Sequence, residues 1–345
     1  MMLRPLLVAL IVPLFLISGT PAQELTGTLK KIKDSKAITL GYRASSIPFS
    51  YVNKPGDPIG YSIDLCNAVV DEVSKELEGI EIAVKYKKVT AESRIPAVRS
   101  GEIDLECGST TANFERKKEV AFSPIFFVAG TKILLPRSSA ISSYRDLHDK
   151  TVVVTAGTTN EAAVQAISEK QHLGIKFLVG KDHAESFALM KEGEADAFAT
   201  DDVLLYGLVA TTGSGEQYHV VGEYLSYDPY GLMYRNDDPD FAAVVDRTFS
   251  RLRSEPRARA ALQQMVSAAL ADRRDSRPAD EPSARGDLSR RGRARLGWTM
   301  IATQTPAIFL GIGHSHPCPD TALMPADARG RYNPCDRRLL QRRRS

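Results

Sequence analysis

Two stretches of this 345-residue chain repeat one alternation of strand and helix signals, and that repetition restricts it to a paired α/β architecture. In the first stretch, Ala37 to Tyr42 is a short apolar strand. From Tyr61 to Leu77, the residues Ile63, Cys66, Val69, Val70, Val73 and Leu77 recur at three and four, the period of an amphipathic helix. Ile80 to Tyr86 alternates as a strand does, Ser93 to Ser100 reads as a short helix closed by Gly101, and Ile103 to Cys107 supplies a third strand. The second stretch repeats the order. Thr151 to Thr155 is a β-branched strand, Gly157-Thr158-Thr159-Asn160 opens a helix through Ile167, and Ile175 to Val179 is a strand. Glu185 to Glu192 is a helix before Gly193, and Ala195 to Thr200 is the last strand of the unit. Two βαβαβ units predict two similar lobes, each a parallel sheet with covering helices. Val220-Val221 and Tyr230 to Tyr234 read as further strands, and Phe241 to Leu252 as an amphipathic helix.

The ends differ from this pattern. Arg4, the apolar run Leu6 to Ile17 and the small residues Thr20 and Ala22 predict an export signal over residues 1–22, too short for a membrane span. No cysteine follows the run closely, so a lipid anchor is not indicated. Residues 271–345 are rich in Arg, Pro and Asp, and only Trp298 to Leu310 is apolar enough to pack. That tail predicts a disordered or frame-shifted segment, with a small appended module as the alternative. It also carries much of the Arg behind the formal charge of +3, so the basic balance implies no nucleic-acid partner. Export favours a disulfide between Cys66 and Cys107, against the alternative of two buried thiols.

Ligands of open α/β sheets sit beyond the carboxyl ends of the strands. Arg43 follows the first strand there. Ser109, Thr110 and Thr111 follow Cys107-Gly108, with Arg116 beyond them. Thr158 and Thr159 open a helix, and Asp201 ends the last strand. Each has a bland reading: a solvated Arg, a Thr or Asp that only caps a helix. Together, cations, hydroxyls and one carboxylate form the inventory that a zwitterion with an extra carboxylate needs. No catalytic motif, metal-ligand set or phosphate loop stands out, and His316 with Cys318 falls short of a metal site. No cofactor is implied.

Several motifs resemble the bacterial periplasmic amino-acid-binding proteins of ABC importers, solute-binding family 3, and within them the glutamate/aspartate branch. They are Gly41-Tyr42-Arg43-Ala44-Ser45-Ser46-Ile47-Pro48-Phe49-Ser50-Tyr51, Gly60-Tyr61-Ser62-Ile63-Asp64, Ser93-Arg94-Ile95-Pro96, Ser109-Thr110-Thr111 through Arg116, Ala156-Gly157-Thr158-Thr159, Lys181-Asp182-His183 and Thr200-Asp201-Asp202. The resemblance covers about Leu29 to Leu252. It implies a periplasmic-binding-protein type II fold: two α/β lobes joined by two hinge strands near Gly130–Leu135 and Tyr227–Tyr234. It divides the chain into residues 23–132 with 229–270 as one lobe and 133–228 as the other, with the family's C-terminal part missing from about Ser254 onward.

The resemblance also implies roles. Arg116, aided by Thr111 and Thr159, clamps an α-carboxylate. Asp201 with Ser109 holds the α-ammonium. Arg43, Arg94 and His183 receive a side-chain carboxylate, and Phe49 covers the ligand. Ala91 stands where this branch often has Ser, leaving glutamate and aspartate both open. The expected protein is a monomeric periplasmic receptor that passes L-glutamate or L-aspartate to ABC importer membrane subunits. The alternative is an enzyme on the same fold, such as a dehydratase acting on a carboxylated ring, with His183 or Glu106 as its acid or base.

Overall fold

A computed structural model describes residues 24–255. The export signal expected over residues 1–22 and the tail at 271–345, with His314, His316, Cys318 and Cys335, lie outside the described residues.

Two five-stranded sheets organise the chain. The first half holds α1 (Gly27–Ser35), β1 (Ala37–Tyr42), β2 (Ser45–Ser46), β3 (Ser50–Val52), β4 (Pro58–Ile59), α2 (Tyr61–Glu76), β5 (Ala83–Lys88), α3 (Arg94–Arg99), β6 (Leu105–Glu106) and β7 (Val120–Phe122). Then come β8 (Phe127–Ala129), β9 (Thr131–Pro136), β10 (Thr151–Thr155), α4 (Thr159–Gln171), β11 (Lys176–Gly180), α5 (His183–Lys191), β12 (Ala197–Asp201), α6 (Asp202–Thr212) and β13 (Tyr218–Val221). The chain returns through β14 (Asp228–Tyr230) and β15 (Met233–Arg235) to α7 (Pro239–Ser254).

The first sheet has the order β5-β1-β6-β15-β7, the second β11-β10-β12-β9-β13. In each, the βαβαβ part is parallel: β1 lies between β5 and β6, and β10 between β11 and β12. In each, the last two strands are antiparallel, so the sheets are mixed rather than wholly parallel. The hinge differs slightly from expectation. Thr131–Pro136 is a full member of the second sheet, and the crossing pair is β8 with β14, joined antiparallel from Asp228–Ala129 to Tyr230–Phe127.

Local chemistry explains the helix starts. α2 has no side-chain cap; its first amides instead donate to Pro48 and Phe49 carbonyls, Tyr61 N at 3.0 Å and Ser62 N at 2.8 Å. Gly60 permits this approach, because its φ is +125° and a Cβ there would strike the Phe49 carbonyl. The α2 face of Ile63, Cys66, Val69 and Val73 then packs with Phe241, Val244 and Val245 of α7 in the core of the first lobe. α5 begins at His183, two residues earlier than the apolar pattern suggested, because the Asp182 side chain accepts from the amides of Ala184 and Glu185. Cys66 and Cys107 form a disulfide that fixes α2 to the end of β6.

Candidate functional site

The carboxyl ends of β1, β6, β10 and β12 converge between the lobes on a small cavity, with free space for little more than one water molecule. Eight expected residues line it: Arg43, Arg94, Ser109, Thr111, Thr158, Thr159, His183 and Asp201. Asn160 and Leu204 line it as well.

One end of the cavity is rich in donors. Arg43 is 1% exposed and Arg94 2%. Arg94 Nη1 donates to the Thr110 hydroxyl at 2.6 Å, and Thr110 donates to Glu106 Oε2 at 2.7 Å. Glu106 is thus the buried counter-charge of the pair. Arg43 Nη2, Arg94 Nε and Glu106 Oε1 have no hydrogen-bond partner among the described residues. Burial, then repulsion from Arg94, pulls the Arg43 guanidinium down to about 10. Burial also lowers Arg94, and Glu106 counters it. His183, 2% exposed, is pushed well below the ordinary histidine range by burial and by Arg43 and Arg94, so it is neutral near pH 7. Its Nδ1 lies 3.0 Å from the Thr155 hydroxyl. With Thr155 donating there, the ring proton sits on Nε2.

The other end is rich in acceptors. Asp201 Oδ1 accepts from Asn160 Nδ2 at 2.9 Å, and Oδ2 accepts from the Tyr230 hydroxyl. Burial, then the neighbouring Asp228, raises the Asp201 carboxyl to about 8. The Thr111 and Thr159 hydroxyls face each other at 3.2 Å across the lobes. The Thr158 hydroxyl accepts from Glu161 N at 3.1 Å and donates to the Thr155 carbonyl at 2.7 Å, so it caps α4 while its residue lines the cavity.

Two expected residues lie elsewhere. Phe49 is buried in an aromatic cluster with Phe127 and Tyr230, at centroid distances of 4.9 and 5.1 Å, and does not line the cavity. The pull of that cluster on a large apolar ring outweighs exposure at the cleft. Arg116 lies outside the lining, and its Nη atoms donate to the carbonyls of Thr111 at 3.1 Å and Gly157 at 3.3 Å, one from each lobe. Burial, then Arg94, lowers it to about 9. Asn160 and Tyr230 were missed, although Asn160 sits in the same helix-opening turn as Thr158 and Thr159. Among the described residues no cluster of three or more His, Cys, Asp or Glu is placed to hold a metal. No helix of the described residues is long and apolar enough to cross a membrane.

The model of bacterial extracellular solute-binding proteins, family 3, matches residues 38–268. The chain belongs to this family. The match runs past Ser254, so the family's pattern ends later than the sequence reading placed it. The L-glutamate/L-aspartate-binding protein of Pseudomonas aeruginosa is 46% identical over 246 residues, covering 71% of this chain and 82% of the relative. The glutamate/aspartate import solute-binding protein of Escherichia coli is 40% identical over 231 residues, covering 67% and 76%. A crystal structure of a mutant ArgBP from T. maritima superposes with a TM-score of 0.61 at 26% identity, covering 69% of this chain and 99% of that one. These relatives are named as solute-binding proteins and not as enzymes, and the chain shares the two-lobed α/β fold of the family.

Proposed function

We propose that this solute-binding protein captures L-glutamate or L-aspartate between its lobes in the periplasm and delivers it to the membrane subunits of an ABC importer. The observation that carries the ligand class is the convergence of Arg43, Arg94 and neutral His183 on one small buried cavity. Two desolvated guanidiniums with unpartnered N–H groups favour a carboxylate over an amide, because a neutral group leaves buried charge underpaired. Asp201 is the acceptor for the α-ammonium, with Ser109 beside it. Arg116 is the clamp for the α-carboxylate with Thr111 and Thr159; an anion is a stronger acceptor than the two carbonyls it now contacts. The names of the relatives support the same ligands and role. The export signal expected from the sequence over residues 1–22 supports the location.

Calorimetric titration of ligand-stripped protein tests the reading. Both acids, or one of them, are expected to bind tightly and unchanged, while glutamine and asparagine bind at least about 100-fold more weakly. Equal affinity for acid and amide overturns it.

A further inference from the structure

Asp228 lies on hinge strand β14 and is 1% exposed. Its Oδ1 accepts from the Thr111 hydroxyl at 3.0 Å and from the Thr159 hydroxyl at 2.7 Å, and its Oδ2 accepts from Ser226. Thr111 follows β6 in the first lobe, and Thr159 opens α4 in the second. One carboxylate oxygen, carried by the hinge, therefore gathers a hydroxyl from each lobe.

A hydroxyl has a single proton, and a carboxylate only accepts. Either both threonines donate to Asp228, or one threonine donates to the other and the second donates to Asp228. In every arrangement both hydroxyl protons are committed within the trio. The same two hydroxyls are the ones assigned above to the ligand α-carboxylate, and they cannot serve two carboxylates at once. Asp228 is also the leading counter-charge that favours the cationic form of Arg116, so it shares the clamp as well.

We propose that Asp228 is an internal competitor for the ligand α-carboxylate, which holds the Thr111 and Thr159 hydroxyls and must yield them when an amino acid binds. This rests on the reading of Thr111 and Thr159 as carboxylate contacts. It does not depend on the ligand side chain, because every α-amino acid presents the same α-carboxylate. Asp228 thereby sets the affinity of the receptor from a position beside, rather than in, the lining of the cavity.

The test is a mutant cycle read by calorimetry with L-glutamate and L-aspartate, together with thermal unfolding to confirm folding. Asp228→Asn and Asp228→Ser are each expected to tighten binding by about three- to tenfold, in line with the loss of a charged competitor for one or two hydrogen bonds. In a Thr111→Val, Thr159→Val background the same substitutions are expected to change affinity less than twofold, because no hydroxyl proton remains to be contested. Weaker binding in both folded Asp228 variants overturns the proposal and makes Asp228 a support of the clamp. An equal gain in the valine background also overturns it and assigns the effect to charge alone. If the amino acid that binds proves not to be acidic, the reading of Arg43 and Arg94 fails, while the same cycle run with that amino acid still decides the role of Asp228.

Discussion

The Tyr230 hydroxyl donates to Asp201 Oδ2, and so ties the hinge strand to the strand end proposed to receive the ligand ammonium. Asn160 holds the other oxygen. The carboxylate is thereby fixed in orientation, yet burial and Asp228 raise it from 3.8 to about 8. Between these values the folded protein keeps a proton that the unfolded chain has lost. This group therefore makes stability fall as pH rises through that window.

Binding is expected to reverse the shift. A ligand ammonium favours the carboxylate, so capture below about pH 8 should release a proton from Asp201. Affinity is then expected to rise with pH by up to about tenfold per unit between pH 6 and 8. Calorimetry at pH 6.5 in two buffers of different ionisation heat reads the proton directly. Tyr230→Phe removes a bond that favours the ionised form, so the midpoint should move upward. Equal binding heats in the two buffers would refute the assignment of the ammonium to Asp201.

Arg43 and Arg94 lead to a prediction of opposite signs. Each is buried, desolvation lowers the pKa of each, and Arg94 repels Arg43. Arg43→Met is expected to weaken acidic-ligand binding by about 100-fold or more, the usual loss when one partner of a buried charge pair is removed. The same substitution should leave the melting temperature of ligand-stripped protein unchanged or raise it, since a desolvated like-charged group is gone. A large fall in melting temperature would show that Arg43 is chiefly a structural partner of Glu106.

The Cys66–Cys107 disulfide closes a loop with a sequence separation of 41, between α2 and the strand end that leads to Gly108 and Ser109. In the chain-entropy account, such a loop contributes about 4 kcal/mol. Replacing both cysteines with alanine is therefore expected to lower unfolding stability by about 2–5 kcal/mol in urea titrations. Reductant should lower the wild type to the level of the variant and leave the variant unaffected. If reductant leaves the wild type unmoved, the disulfide is not what stabilises the loop.

The parts of this structure that were legible were those written in local periodicity. Thr151 to Thr155 is β-branched and buried from Val152 onward, and it forms β10 at the bounds read from its sequence. The three- and four-residue spacing from Ile63 to Val73 gives α2. Ile80 to Tyr86 alternates just as clearly, but its strand runs from Ala83 to Lys88. There the register of parallel pairing, Ala37 with Ala83 through Tyr42 with Lys88, decides the ends. Ile80 and Ile82 pack on the core from outside that pairing. Arg43, Arg94, His183 and Asp201 could be located because each follows a strand or opens a helix. Asp228 and Tyr230 could not, because their partners Thr111, Thr159 and Asp201 lie 29 or more residues away in sequence and meet them only through the fold. The one signal available was their two-residue spacing in a strand, which puts both side chains on one face.

Gly207 in α6 lies against the backbone of Ile47, where the two lobes touch. A Cβ there would stand 2.6 Å from the carbonyl oxygen of Ile47 and 3.0 Å from its carbon. Both belong to backbone of the first lobe, so neither is free to swing aside. Ile47 also packs its side chain into the core cluster of Phe198, Leu205 and Leu208 in the second lobe, and Ala184 N donates across the lobes to Ser45 Oγ at 3.3 Å. Within the helix alone, Gly207→Ala should be favourable by about 1 kcal/mol, because alanine restricts the unfolded chain and suits the helix interior. At the contact it acts as a wedge. The expected result is a ligand-stripped protein at least as stable as wild type, with affinity for its amino acid reduced about tenfold or more. Small-angle scattering at saturating ligand should report a larger radius of gyration than wild type under the same conditions. Wild-type affinity in the folded Gly207→Ala protein would show that Ile47 and α6 can separate without opening the cleft, and that closure is set by the hinge strands instead.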